Sequence, residues 1–169
     1  MAWAWRHSEK LNIYIYTSLL QSYISYLINE GADAQEIVNE LKKAGRIIAD
    51  LMHDHFVSMM RNLPSTIQEL PSFLNLLLKF LIGRYFSEMR MEAGEESVRV
   101  VCRIKRCPLC FQLHTPIPEV PLCLPLAGII ERICEDFLED LGMKSVKCEE
   151  TRCISRGEEF CEFVLELSR

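Results

Sequence analysis

The hydrophobic positions change period about halfway along the chain. From Leu11 to Ile28, apolar residues including Tyr14, Tyr16, Tyr23 and Tyr26 surround most of a helix circumference, leaving one uncharged polar stripe through Ser18, Ser22, Ser25 and Asn29. Such a helix wants partners on more than one face. Gly31 ends it, and Asp33 followed by Glu36 has the capping-box spacing that opens a second helix. The inward stripe of that helix reads Ile37, Leu41, Ala44, Ile48, Leu51, His55 and Met59, and Asn62-Leu63-Pro64-Ser65 stops it. A third helix is predicted between Ser65 and Ile82, with Pro71 at its first turn or kinking it and Gly83 as its stop.

Beyond Gly83 the period approaches two. Arg84 to Met91 and Ser97 to Lys105 form a predicted hairpin, with Val98, Val100, Cys102 and Ile104 on one side and Glu92-Ala93-Gly94-Glu95 at the turn. The proline-rich stretch from Cys107 to Pro125 is irregular. Leu126, Ile129, Ile130, Ile133, Phe137, Leu138 and Leu141 then mark a fourth helix stopped at Gly142. Lys144 to Glu150 and Glu159 to Leu167 read as a last antiparallel pair, turning at Ser155-Arg156-Gly157. The pattern predicts an α+β fold: N-terminal helices packed on an antiparallel sheet with one further helix. With no repeat or linker, residues 1–169 form a single expected domain, helical over about 8–83 and cysteine-rich sheet over about 84–169.

Composition narrows the function classes. A chain of 169 residues can bury most of its apolar surface without disulfides. A net charge of -5 supplies no basic field for phosphate backbones, so nucleic acid is not an expected partner. No charged residue lies between Lys10 and Glu30, yet Asn12, Thr17, Ser18, Gln21, Ser22, Ser25 and Asn29 make that stretch too polar for a membrane span. Met1 to Lys10 has none of the marks of a secretory signal, and the expected location is the reducing cytoplasm.

All eight cysteines lie between Cys102 and Cys161. Cys107-Pro108-Leu109-Cys110 has the two-residue gap that lets adjacent thiolates reach one tetrahedral metal, and Cys153 and Cys161 face each other near a hairpin turn. Metal ligation is the favoured reading, with free core thiols and disulfides as the alternatives. A thioredoxin-like use of Cys107 and Cys110 is disfavoured, because that chemistry places the pair at a helix start. His53-Asp54-His55 reads as surface and core-edge histidine, since neighbours two apart on a helix point to different faces. Glu131, Glu135, Asp136, Glu139 and Asp140 read as a solvated acidic face of the fourth helix. The glycines are isolated, and there is neither a nucleophile elbow nor a His-Glu-x-x-His motif, so no acid, base and nucleophile are expected together.

Glu149-Glu150-Thr151-Arg152-Cys153, followed by Ser155-Arg156-Gly157-Glu158-Glu159-Phe160-Cys161-Glu162-Phe163, resembles the 4-vinyl reductase domain, also called a hydrocarbon-binding domain. The matching pattern is a Glu three before a Cys, then Gly-Glu, then a Cys eight after the first, and Cys123 looks like the upstream cysteine of that family. The domain belongs with small subunits of the TRAPP vesicle-tethering complex. Glu9-Lys10-Leu11-Asn12 and the order of helices and hairpins are similar to those subunits over nearly the whole chain.

The resemblance implies a TRAPP-like ligand-binding fold with a hydrophobic channel and dimerisation through the N-terminal helices. It also implies a structural zinc held by Cys123, Glu150, Cys153 and Cys161, with Cys107 and Cys110 as reserve ligands. TRAPP-type subunits can carry an acyl chain on a channel cysteine, but no cysteine precedes Cys102 here, so that modification is not expected. The expected function is non-catalytic binding or sensing of a small hydrophobic molecule, a lipid or hydrocarbon. A TRAPP-like scaffold acting through homo- or hetero-oligomerisation is the alternative. The word reductase carries little weight, because a fold does not confer chemistry and no cofactor fingerprint accompanies it.

Overall fold

The computed structural model describes residues 2–55, 63–110 and 117–169, and side chains from Tyr14 onward within those ranges. Helix α1 (Ala2–Asn29) is followed by α2 (Ala34–Leu51), a 3-10 turn (Ile67–Glu69), α3 (Leu70–Ile82) and the hairpin β1 (Glu88–Ala93) and β2 (Ser97–Ile104). Helix α4 (Leu124–Glu135) then leads to β3 (Ser145–Arg152), a 3-10 turn (Ile154–Arg156) and β4 (Cys161–Ser168). The four strands form one antiparallel sheet in the order β1-β2-β4-β3. The α+β expectation holds, and among the described residues no helix is long and apolar enough to cross a membrane.

Local chemistry explains most element ends. Asp33 accepts from the Glu36 amide at 2.8 Å while the Glu36 carboxylate accepts from the Asp33 amide at 2.9 Å, a reciprocal cap that starts α2. Pro71 sits in the first turn of α3, where a missing amide hydrogen costs nothing, and Gly83 closes that helix at φ +70°. In β2, Val98, Val100, Cys102 and Ile104 alternate into the core, and β4 answers with Cys161, Phe163, Leu165 and Leu167.

Several sequence expectations need correction. The buried stripe of α2 is Ile37, Leu41, Gly45 and Ala49, not one running through Ala44, Ile48 and Leu51; Leu51 is 81% exposed. The cause is the closeness of α2 to α4. A Cβ added at Gly45 would lie 2.0 Å from the Pro125 carbonyl oxygen, and one at Gly128 would lie 2.1 Å from that of Lys42. Small residues therefore occupy the contact line while larger neighbours are turned aside. Helix α4 begins at Leu124 and ends at Glu135; Phe137, Leu138 and Leu141 are buried from the turns that follow. Helix α1 buries Thr17, Leu20 and Ile24 on one side, whereas Tyr14, Ile15, Leu19 and Tyr26 are exposed, so its second apolar face has no cover within the chain. Strand β1 starts at Glu88 rather than Arg84. Met59 and Asn62 lie outside the described residues.

The acidic face assigned to α4 is largely not solvated. Glu131 is buried, with Lys42 at 2.6 Å and Arg46 at 3.1 Å, and its other oxygen accepts from the Cys148 amide at 2.7 Å. Arg46 also grips Glu135 through two nitrogens at 2.9 Å, a fork geometry suited to guanidinium and carboxylate. Arg132 joins Asp50 to Asp136, and His53 reaches Asp136 at 3.2 Å. Glu139 and Asp140 are exposed, as expected of a solvated face. These pairs clamp α2 across α4 and couple both to β3.

Gly128→Ala should lower the unfolding free energy by about 1–3 kcal/mol through overpacking at the helix contact. Gly94→Ala, where the nearest atom is the Ser97 carbonyl oxygen at 3.4 Å, should stay within about 0.5 kcal/mol of the parent. Urea unfolding compares the two; equal effects would contradict the close-contact role.

Candidate metal centre

Six buried donor side chains converge behind the inner face of the sheet. The pleat points Val146, Cys148 and Glu150 of β3 inward, and a register shift between Glu150 and Arg152 ends the regular ladder. The chain then turns so that Cys153 comes back toward the same point. Hydrogen bonds to its carbonyl oxygen from the Arg156 and Glu158 amides hold this turn, which Gly157 closes at φ +89°. Cys161 opens β4 opposite Ile104. Three residues past Ile104, Cys107 enters the turn that also carries Cys110.

Cys123 is the N-cap of α4, and its carbonyl oxygen accepts from the Leu126 and Ala127 amides. A helix start favours a thiolate, because unpaired amides and the helix dipole place positive potential there. Ser155 ties the pieces together by accepting from the Leu122 amide at 3.3 Å and lying 3.0 Å from the Cys153 sulfur.

The donors fall into two sets of four, Cys107, Cys110, Cys123 and Cys161, and Cys123, Glu150, Cys153 and Cys161. Within each set all donor atoms lie within 4.8 Å of one another. Sulfur separations are 3.4 Å for Cys107–Cys123, 3.2 Å for Cys110–Cys161, 4.0 Å for Cys123–Cys161 and 3.9 Å for Cys153–Cys161. A zinc–sulfur bond of about 2.3 Å gives a tetrahedron edge of about 3.8 Å, so these separations suit thiolates around one ion. Every sequence-predicted ligand is therefore in the cluster. Cys107 and Cys110, expected only in reserve, are as close to Cys123 and Cys161 as the others.

Both oxygens of Glu150 are buried without a hydrogen-bond partner. Burial first, then the Cys153 thiolate beside it, push its carboxyl well above the usual range. Hydrogen bonds from Cys107, and then from Cys123, Cys153 and Cys161, pull Cys110 well below the usual thiol range. Cys123 is pushed up by its hydrogen bond with Cys107 and then by the other thiols. Protons are thus shared among crowded acids that lack a cation. A soft divalent ion supplies the missing positive charge, and thiolate-rich donors select such an ion over calcium or magnesium. The buried cluster could hold a metal ion on the chemistry of its donors. The remaining cysteines differ in kind. Burial pushes Cys102 up to about 12 and raises Cys134 and Cys148 as well, as for inert core thiols.

An apolar cavity adjoins the cluster. Its volume is about 330 Å³, and its walls include Tyr16 of α1, Ile48 and Met52 of α2, Phe80 of α3, and Leu126 and Ile129 of α4. Leu109, held between Cys107 and Cys110, closes the side facing the thiols. The cavity had no signature in the sequence pattern, because its lining comes from four helices and one turn.

A helical layer on a four-stranded antiparallel sheet, with α4 between that sheet and α2, defines a TRAPP-like α+β protein. Trafficking protein particle complex subunit 3 from Naegleria fowleri, solved covalently bound to palmitic acid, matches with a TM-score of 0.71 at 20% identity over 97% of each chain. The phenol-responsive sensory domain of the transcription activator PoxR, solved with phenol, matches with a TM-score of 0.53 at 11% identity over 90% of this chain and 74% of that one. At such identities the likeness establishes the fold. Residues 100–167 match the family model of the 4-vinyl reductase domain and form a domain of that family, a span that contains all eight cysteines. No curated protein matches the chain.

A carboxyl whose value is raised on folding costs nothing below the unfolded carboxyl range, and its cost grows as pH rises. At pH 8 in chelator, Glu150→Gln should therefore stabilise the protein by about 1–3 kcal/mol. In metal-loaded protein the same substitution should lower the melting temperature, because the ion loses a charged ligand. Melting with and without chelator reads both signs; equal destabilisation in both would mark Glu150 as an ordinary core residue.

Proposed function

We propose that residues 1–169 act as one non-catalytic domain that binds or senses a small hydrophobic molecule, a lipid or hydrocarbon, and carries a structural zinc at Cys123, Glu150, Cys153 and Cys161. The observation that carries this reading is the apolar cavity of about 330 Å³ set against the thiol cluster. That volume falls at the small end of ligand pockets, and a lining of aliphatic and aromatic side chains with one hydroxyl, on Tyr16, selects an apolar body with at most one polar group.

Burial and the nearby thiolates Cys123 and Cys107 raise the Tyr16 hydroxyl far above the usual phenol range, so it serves as a neutral donor. None of the lining residues is a cysteine, so the ligand is held without a thioester. The ligands of the two structural neighbours, palmitic acid and phenol, belong to the same apolar class.

Four protein ligands leave zinc no open position for a water, which makes the ion structural rather than catalytic. Its thiolates need a reducing compartment, and the reading places the protein in the cytoplasm. Purified protein should release a hydrophobic compound on organic extraction and take up a fluorescent fatty acid saturably, with Leu126→Trp weakening that uptake at least about tenfold by filling the cavity. Absence of both the co-purified compound and saturable uptake would overturn the reading. Cys153→Ser should lose metal and thermal stability together.

A second reading, a scaffold working through homo- or hetero-oligomers, is favoured by α1, where Ile15 is 50%, Leu19 65% and Tyr26 55% exposed on successive turns. The occupant proposed for this face is α1 of a second copy, in an isologous homodimer. Light scattering at micromolar concentration should give a dimer, and Leu19→Glu a monomer that remains folded. A monomeric parent would sink the dimer.

A further inference from the structure

We infer that the cluster takes two metal ions rather than one, bridged by the thiolates of Cys123 and Cys161, with Cys107 and Cys110 completing one ion and Glu150 and Cys153 the other. The inference rests on the zinc reading above and extends it to the whole donor set.

Zinc in a closed protein site takes four ligands, and six donors are present. They do not form one set around one point: they divide into two sets of four that overlap at Cys123 and Cys161. Two tetrahedra that share an edge have this arrangement. The shared edge is the 4.0 Å pair Cys123–Cys161, and each of those sulfurs also lies close to a thiol of the Cys107/Cys110 pair, at 3.4 Å and 3.2 Å.

Charge favours the second ion. With one zinc on Cys123, Glu150, Cys153 and Cys161, three thiolates and a carboxylate leave a net charge of about minus two on the complex, if each ligand is ionised. Cys107 and Cys110 must then stay protonated against sulfurs that already carry that charge. A second divalent ion brings two more thiolates with it, so six ligand charges face four metal charges and the net stays at about minus two. Both extra thiols become ligands without adding charge to the buried site. The two-residue gap of Cys107 and Cys110 is also a chelating spacing for a single ion. Cys123, at the start of α4, suits a bridging role, because the helix dipole stabilises the thiolate that two ions share.

Chelator-stripped protein is incubated with excess zinc, desalted and weighed as the intact chain by native mass spectrometry, with elemental analysis in parallel. Two zinc ions per chain are expected. The double substitution Cys107→Ser, Cys110→Ser should drop the content to one while Glu150 and Cys153 keep theirs. Titration with cobalt(II) provides a readout that needs no variant. The thiolate-to-cobalt absorption should rise up to two equivalents, and the high-spin cobalt resonance seen at one equivalent should weaken at two, as bridging thiolates couple the ions. A single ion per chain, with the cobalt titration complete at one equivalent, overturns the two-ion centre and leaves the structural zinc intact. No bound metal at all overturns both.

Discussion

A carboxylate buried without a donor is among the costliest groups a fold can contain, and here it stands beside five thiols equally removed from water. Glu150 is not there by slack packing. The pleat of β3 aims it inward, the turn through Ile154–Arg156 returns Cys153 beneath it, and β4 begins with Cys161 at the same depth. The turn after β2 and the first residue of α4 contribute the rest of the donors. Five pieces of chain therefore meet at one point that their own hydrogen bonds do not satisfy, and a soft cation is the counterpart that balances it. Metal binding and folding are then one equilibrium, since the donors are gathered only when helix, hairpin and turn are in place.

The other fixed point is the contact between α2 and α4, where Gly45 and Gly128 let the backbones approach and Glu131 and Glu135 receive Lys42 and Arg46. Helix α4 is thus held twice, at its N-cap by the donor cluster and along its length by α2. The apolar cavity lies between these restraints. Leu126 sits three residues past Cys123, Leu109 between two cluster thiols, and Ile48 and Met52 at the end of α2. A change in metal occupancy would move the wall formed by Leu109 and Leu126, so the cavity and the centre form a single mechanical unit.

The sequence was informative where chemistry is local. Alternation in Val98, Val100, Cys102 and Ile104 placed β2, Asp33 with Glu36 placed the start of α2, and Gly83 the end of α3. The ligand motif around Cys153 and Cys161 was legible because a hairpin brings its members together without help from distant segments. Tertiary contacts were not. Gly45 is silent in a hydrophobic pattern, yet it shifts the buried stripe of α2 by one residue, because the partner backbone leaves no space for a side chain. Glu131 reads as surface until Lys42 and Arg46 arrive from 85 to 89 residues away. That Cys107 and Cys110 join Cys123 and Cys161 depends on how the loop after β2 folds over the start of α4, which no periodicity encodes.

The direct measurement of the thiolate-rich centre is X-ray absorption at the zinc edge on protein loaded with zinc and freed of excess ion. Sulfur scatterers at about 2.3 Å should dominate the first shell, with a minor oxygen contribution at about 2.0–2.2 Å from Glu150. A shell of nitrogen and oxygen alone would contradict the assignment of the cysteines as ligands and leave them as buried thiols of the core.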